Sequence, residues 1–182
     1  MANGRHLLKL NEGVEAWNTW RKGNPYLMPD LRWANLRSVD LRKADLRWAD
    51  LRWADLHSAL LSSANLTGAD LRRACLNSAN ISTANLIGAD LRDTSLKKAN
   101  LIGANLSGAD LRWADLRGAD LRKAQNLSGK QLAKTATFDD TKLDPDLVNQ
   151  IQNPTIARRH GRKVEEDKPD ISACPHCRRD RQ

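Results

Sequence analysis

The sequence predicts an all-β fold, a four-sided parallel β-helix solenoid with short helical caps. Nineteen apolar residues lie five positions apart from Leu31 to Leu121, and all are Leu except Ile81. Ala stands two places before most of them, and Asp or Asn one place before. Five steps along a helix or a straight strand would scatter these side chains over several faces. A chain that turns at every pentapeptide points each of them inward, and its stacked coils pair as parallel strands about 4.8 Å apart.

The number of sides follows from which residues lie above one another when the coils stack. At a spacing of 20, the residues after Leu form one unbroken Arg row and those before Leu form one unbroken Asp row; at a spacing of 15 every Arg row is broken. The rows are Arg32, Arg52, Arg72, Arg92 and Arg112, and Asp30, Asp50, Asp70, Asp90 and Asp110. This favours four sides.

The interior of such a coil is narrow, which explains the small Ala beside each large Leu, because overpacking strains a core. Each buried Leu is expected to contribute about 1.5–3 kcal/mol. We therefore expect one continuous core along the solenoid. It includes Leu36, Leu56, Leu76, Leu96 and Leu116.

The repeated Ala-(Asp/Asn)-Leu-x-x motif from about Pro29 to Ala124 resembles the pentapeptide-repeat family. The resemblance implies a right-handed, four-sided parallel β-helix over residues 29–124. It also implies a candidate function, since the best understood members inhibit or protect DNA gyrase by imitating the shape and negative charge of duplex DNA. The departures from the motif are Val39, Leu60, Cys75, Thr94 and Ser95.

The segments that flank the repeats are expected to cover its ends, because a repeat cannot bury its core alone. Residues 1–28 form the predicted N-terminal helical cap. Leu7, Leu10, Val14 and Trp17 have helical spacing over residues 5–22, and Gly23-Asn24-Pro25 would end that helix.

Residues 125–153 form the predicted C-terminal cap. The five-residue register shifts by one residue at Gln125-Asn126 and resumes as Leu127 and Leu132. Residues 146–151, after Pro145, are a short stretch that would cover the last coil. Residues 154–182 are polar and charged, which predicts a disordered tail.

Charge is distributed evenly along the chain, whose net charge is +8. The Arg row lies beside the Asp row, so each Arg can reach an Asp on its own or a neighbouring coil, and exposed pairs of this kind contribute about 0.2–1 kcal/mol each. A duplex mimic needs an acidic surface, so this balance weakens that interpretation. A DNA-mimicking modulator of a type II topoisomerase, gyrase, remains the alternative function.

Tryptophan is the less expected residue on this surface. Trp33, Trp53 and Trp113 share one corner row directly after the Arg row, and Trp48 lies at the preceding corner. Outward Trp beside Arg is typical of interface hot spots. The predicted protein-binding patch comprises Trp33, Trp48, Trp53, Trp113, Arg32, Arg47 and Arg52. In the alternative, the indoles stack on neighbouring Arg stems or are covered by the N-terminal segment.

A Cys-x-x-Cys pair lies near the end of the sequence. Such a pair is half of a tetrahedral metal site or a redox dithiol. Cys174, Cys177 and His176 are candidate zinc ligands, with His160 or a second chain to complete the set. The alternatives are an inert reduced pair and redox work; the motif is similar to that of thioredoxin-like oxidoreductases, but the strand and helix that normally surround it are missing. No other cofactor is expected.

The remaining patterns exclude several classes of protein. No catalytic residues are predicted, and the sequence has no Gly-rich phosphate loop, secretory signal or apolar run of about 18 residues that would span a membrane. Three Cys without a disulfide pattern are typical of a reducing cytoplasm. The Asp row argues against nucleic-acid binding by the repeats. We therefore predict a non-enzymatic scaffold, monomeric or homodimeric, that recognises another protein.

Overall fold

The repeats form a stack of coils joined by parallel pairing, in a computed structural model that describes residues 1–152. Each bridge from Asp30–Asp50 to Asn105–Gln125 joins residues 20 positions apart. A chain turn occurs every five residues, so each coil has four sides. The predicted β-helix solenoid and its 20-residue repeat are confirmed.

Each pentapeptide supplies one short side and one corner. On a side, the Ala and Leu side chains point inward and the residue between them points outward, which is the alternation of a strand. All 19 residues of the apolar series are at most 2% exposed, including Leu36, Leu56, Leu76, Leu96 and Leu116. At the corner, the Ala34 N–H donates to the Leu31 carbonyl at 3.1 Å, and the same bond closes the following turns.

Successive coils are joined by a repeated pattern of backbone hydrogen bonds. The Leu N–H and the N–H of the second corner residue both donate to carbonyls of the next coil, as in Leu51 to Asp70 (2.8 Å) and Trp53 to Arg72 (3.1 Å). The N–H before each Leu donates to the previous coil, as in Asp50 to Pro29. Over most of the solenoid, the polar backbone groups beside the apolar core are therefore paired.

The N-terminal segment forms two helices, α1 (Gly4–Asn11) and α2 (Val14–Gly23). The expectation of one helix over residues 5–22 is therefore wrong. The break occurs at Gly13, whose φ of 98° is open to glycine and outside the helical region. Leu10 and Trp17 are buried against the solenoid core.

The C-terminal segment contains α3 (Gly129–Leu132) and α4 (Pro145–Gln152). The bridges Asp115–Thr137 and Asp120–Lys142 join residues 22 positions apart, so the chain gains two residues relative to a regular coil. The prediction that the pentapeptide register resumes after a one-residue shift is wrong. Instead the buried Leu132 lies in α3, which Ser128 begins with a capping box.

No helix within residues 1–152 is long and apolar enough to cross a membrane. The predicted tail, 154–182, lies outside the described residues.

Candidate functional site

The second residue of every corner turn has a left-handed backbone, with φ between 54° and 68°. This conformation favours Gly, and an L side chain there costs about 1–2 kcal/mol. Trp nevertheless occupies four of these positions, Trp33, Trp48, Trp53 and Trp113. The turn itself does not call for Trp, since Ser38, Lys43 and Gly68 occupy the same position at other corners.

The Asp or Asn before each Leu holds the corner by a local hydrogen bond. Asp50 Oδ1 accepts from the Arg52 N–H at 3.2 Å, and Asn65 Oδ1 accepts from the Thr67 N–H at 3.1 Å. This is the Asx turn that makes Asp and Asn favourable at such positions. The outward-facing Asp or Asn of the motif is thus partly a structural requirement of the turn.

The Arg and Asp rows form a lattice of ion pairs. Arg52 donates through Nε and Nη2 to Asp50 of its own coil (2.9 and 2.7 Å), and its Nε lies 3.4 Å from Asp70 of the next coil. The same pattern occurs at Arg32, Arg72 and Arg92. The hydrogen bonds from Arg32 hold the pKa of Asp30 below its ordinary value, so the pair stays ionised. The two rows largely neutralise each other.

Trp33 and Trp53 form a parallel stack on the neighbouring corner row. Their ring centroids are 4.8 Å apart and their planes differ by 3°. The Arg73 guanidinium lies 4.9 Å from the centroid of the Trp53 ring, a cation–π contact. Trp33 remains 42% exposed. We call Trp33, Trp53 and Arg73 the Trp stack.

Asp93 continues this row beyond Arg73. Its Oδ2 lies 3.8 Å from Arg73 Nε, while its buried Oδ1 has no hydrogen-bond partner among the described residues. Burial raises the pKa of the Asp93 carboxyl, although Arg73 opposes that effect. The sequence suggested nothing special at this residue, because its burial depends on the side chains of the adjacent coils.

The other two Trp residues lie apart from the Trp stack. Trp48, at the preceding corner, is 53% exposed and packs over Gly68 of the next coil. Trp113 belongs to the same row as Trp53 but is separated from it by Arg73 and Asp93. The structure therefore brings together Trp33 and Trp53 with Arg32 and Arg52, places Trp48 and Arg47 at the preceding corner, and leaves Trp113 at the far end.

The N-terminal helices cover the end of the solenoid beside this surface. Trp17 Nε1 donates to the Asp45 carbonyl at 2.8 Å, and Arg21 Nη2 donates to the Arg47 carbonyl at 3.0 Å. These contacts leave Trp33 and Trp48 exposed, so the helices do not cover the indoles.

Arg21 is fully buried, and sequence reasoning missed it. Its Nη1 also donates to the carbonyls of Asn24 and Leu27. Burial lowers the pKa of its guanidinium, an effect that Asp45 partly opposes. Its only sequence signal is a basic residue in the last turn of a helix.

The predicted zinc ligands Cys174, Cys177 and His176 lie outside the described residues. Within residues 1–152, no group of His, Cys, Asp or Glu side chains is arranged to hold a metal ion. Cys75, in the same range, is a buried free thiol.

Comparisons with known proteins agree with this architecture. The sequence matches a family profile described as Pentapeptide repeats, in eight copies that cover residues 30–52, 49–86 and 84–122, about half of the chain. No curated protein matches the chain.

Similar solved structures include a pentapeptide repeat protein from the thylakoid lumen of Arabidopsis thaliana, 26% identical, with a TM-score of 0.51; the match covers 61% of this chain and 79% of that one. Another, from Nostoc PCC 7120, is 33% identical over 72% of this chain and 95% of that one, with a TM-score of 0.32. A third is HetL, a pentapeptide repeat protein from the same Nostoc strain that is involved in heterocyst differentiation regulation. It is 28% identical over 58% of this chain and 70% of that one, with a TM-score of 0.19.

Proposed function

Because this chain belongs to the pentapeptide-repeat family and has its right-handed β-helix solenoid fold, we propose that it is a rigid, non-enzymatic scaffold that binds another protein through the Trp stack. The stack of Trp33 on Trp53 carries this proposal. It places two large aromatic faces at corners where the backbone disfavours them, and Trp33 keeps 42% of its surface in solvent. Aromatic residues beside Arg are the common anchors of protein interfaces.

The solenoid supports the scaffold part of this proposal through its many paired backbone groups. Every coil is joined to the next by hydrogen bonds and by one continuous Leu core. A surface on such a framework loses little conformational entropy on binding, because its side chains are already ordered by stacking. The Trp stack is therefore preorganised.

We also propose that the helices act as caps, α1 and α2 at one end and α3 and α4 at the other. Leu10, Trp17, Leu132 and Leu147 are buried with the solenoid core. A solenoid requires such terminal covers, because its end coils would otherwise expose their apolar interior. The proposed compartment is the cytoplasm.

The alternative, a duplex mimic that modulates a type II topoisomerase, is less well supported. Its surface would need unmatched carboxylates, whereas Asp30, Asp50 and Asp70 are each ion-paired with Arg. A positively charged surface that approached these rows would meet nearly equal numbers of positively and negatively charged side chains.

The test is affinity capture from the native host with the full chain and two variants. W33S/W53S removes the Trp stack, and Ser is compatible with the corner because Ser38 and Ser58 occupy it at similar φ. W113S is the matched control in the same row. We expect W33S/W53S to lose a protein that the parent chain and W113S retain, with an unchanged melting curve.

Sedimentation at raised concentration distinguishes a second copy of this chain from a different partner. A dimer that dissociates in W33S/W53S would identify the partner as the chain itself. If both variants retain the same proteins and the same mass as the parent, the proposal is wrong.

A further inference from the structure

The Arg and Asp rows end against helix α3, and within residues 1–152 the backbone there has two N–H donors without an acceptor. In the regular pattern, the Leu and second-corner N–H groups donate to the next coil. Among the repeats in the described part of the chain, only Gly108 and Leu111 lack an acceptor at these positions. The residue that would pair with Leu111 is Lys130, which lies in α3 instead of a coil. The register shift therefore removes the acceptors.

The Arg row has a matching deficit at the same end. Arg32, Arg52, Arg72 and Arg92 each place Nε within 3.4–3.7 Å of the Asp carboxylate of the next coil. Arg112 is ion-paired only with Asp110 of its own coil, within residues 1–152. The residue 20 positions after Asp110 is Lys130, which lies in α3, so no carboxylate of the described residues continues the row.

These groups line one open groove of about 460 Å³ between the last coil and α3. Lys130 lines it from α3 and Lys134 from the turn that follows. Both are exposed, and neither has a carboxylate within ion-pair distance among the described residues. The one acidic side chain in the lining is Asp110, which is already bound by Arg112 and faces Arg92 at 3.7 Å. The groove thus combines excess positive charge with two N–H donors that have no acceptor in the described part of the chain.

We propose that this groove binds a carboxylate side chain from an acidic segment of a partner protein, in the place that the next Asp of the row would occupy. Charge-assisted hydrogen bonds from a guanidinium and backbone N–H groups are the usual means of holding a carboxylate. A carboxylate fits better than a phosphate here because each of the five preceding places in this row, from Asp30 to Asp110, holds a carboxylate. The proposal rests on the proposed function only in that the partner is a protein. The residues that line the groove are separate from the Trp stack.

The test is a fluorescence polarisation titration of the full chain with a labelled hexaglutamate peptide and a hexaglutamine peptide of the same label. We expect hexaglutamate to bind and K130Q/K134Q to weaken it by about ten-fold or more. The matched control is K43Q/K123Q, which removes the same charge from exposed lysines elsewhere and should change affinity less than about two-fold. The titration is repeated with E165Q/E166Q/D167N, so that the chain's own acidic run cannot compete.

A second readout ties binding to the groove. In an amide NMR spectrum, the Gly108 and Leu111 resonances should shift on adding hexaglutamate. Equal weakening by the two lysine pairs, or no binding of hexaglutamate beyond hexaglutamine, would overturn the proposal. Tighter binding of a duplex oligonucleotide to the same groove would overturn it in favour of phosphate. W33S/W53S should bind hexaglutamate with the affinity of the parent. A failure of the groove proposal can therefore be distinguished from a failure of the proposed interface at the Trp stack.

Discussion

The indole of Trp48 lies across Gly68 of the next coil, so closely that a Cβ added to Gly68 would stand 2.2 Å from the ring. The absence of a side chain at Gly68 is therefore what allows Trp48 to pack against the solenoid. Gly68 has a φ of 65°, within the 54–68° range of all the corners, so two separate properties of glycine are used at this one position.

These two properties can be measured separately with G68A and G88A. Both variants place Ala at a left-handed corner, which costs about 1–2 kcal/mol. Only G68A also displaces a neighbouring ring, since a Cβ at Gly88 meets nothing within 4 Å. We expect G68A to lose about 1 kcal/mol more than G88A in denaturant unfolding. Equal losses would mean that the Trp48 contact contributes nothing to stability.

Asp93 should destabilise the protein at neutral pH. Burial raises the pKa of the Asp93 carboxyl in the folded state above its value in the unfolded chain. The stability that this group contributes is therefore complete below the unfolded pKa and is lost as pH rises through the folded pKa. D93N removes the charge, and Asn tolerates the φ of 57°. We expect D93N to be more stable than the parent by about 0.5–1 kcal/mol at pH 7. The two should unfold alike at pH 3.

Asp115 should show the opposite pH dependence. Burial alone would raise its pKa, but hydrogen bonds from Arg117 and the nearby Lys97 outweigh burial and lower it. Its contribution is therefore present above the unfolded pKa and lost as pH falls through the folded one. D115N should lose about 1–3 kcal/mol at pH 7, and the loss should shrink in acid. A pH-independent loss in urea unfolding would contradict this assignment.

Arg21 should hold the N-terminal helices on the solenoid. Its guanidinium donates to three carbonyls, including that of Arg47 in the repeats. R21Q cannot make all of these bonds, so we expect a loss of about 1–3 kcal/mol and faster amide exchange over residues 43–47. R5Q, at an exposed position of α1, is the control and should leave both unchanged. Unaltered exchange in R21Q would show that Trp17 and Leu10 suffice.

Supercoiling by purified gyrase should be unaffected by micromolar amounts of this chain. The reason is the ion-pair lattice, which leaves the Asp row without net negative potential. An agarose-gel assay of relaxed plasmid, with and without a fluoroquinolone, measures both inhibition and protection. Either effect at that concentration would restore the duplex-mimic alternative.

Much of the fold was readable because each repeat reports on the same local geometry. The five-residue period required a turn at each pentapeptide, and the unbroken Arg and Asp rows indicated 20 residues per coil. The candidate surface was readable only in part. Trp33 and Trp53 could be placed in one row, and the separation of Trp53 from Trp113 by Arg73 and Asp93 was readable there too. The stacking of Trp33 on Trp53 and the cation–π contact of Arg73 depend on side-chain orientations that the row does not fix.

The ends of the solenoid were harder to predict, because each end segment occurs only once and its local pattern cannot be checked against a repeat. Gly13 breaks one expected helix into two, and Leu132 lies in a helix where a five-residue register had been expected. Both outcomes lie in segments that occur once in the chain, one at each end of the solenoid.

The sequence by itself determined that Leu points inward, that the chain bends every five residues and that Arg faces Asp, because these properties repeat at short range. Only the tertiary structure decided that Arg21 is buried against Arg47, that Gly68 accommodates Trp48 and that Gly108 and Leu111 have no acceptor among residues 1–152. Those relationships join residues about a coil or more apart, and they exist only after the coils have stacked and their ends have been covered.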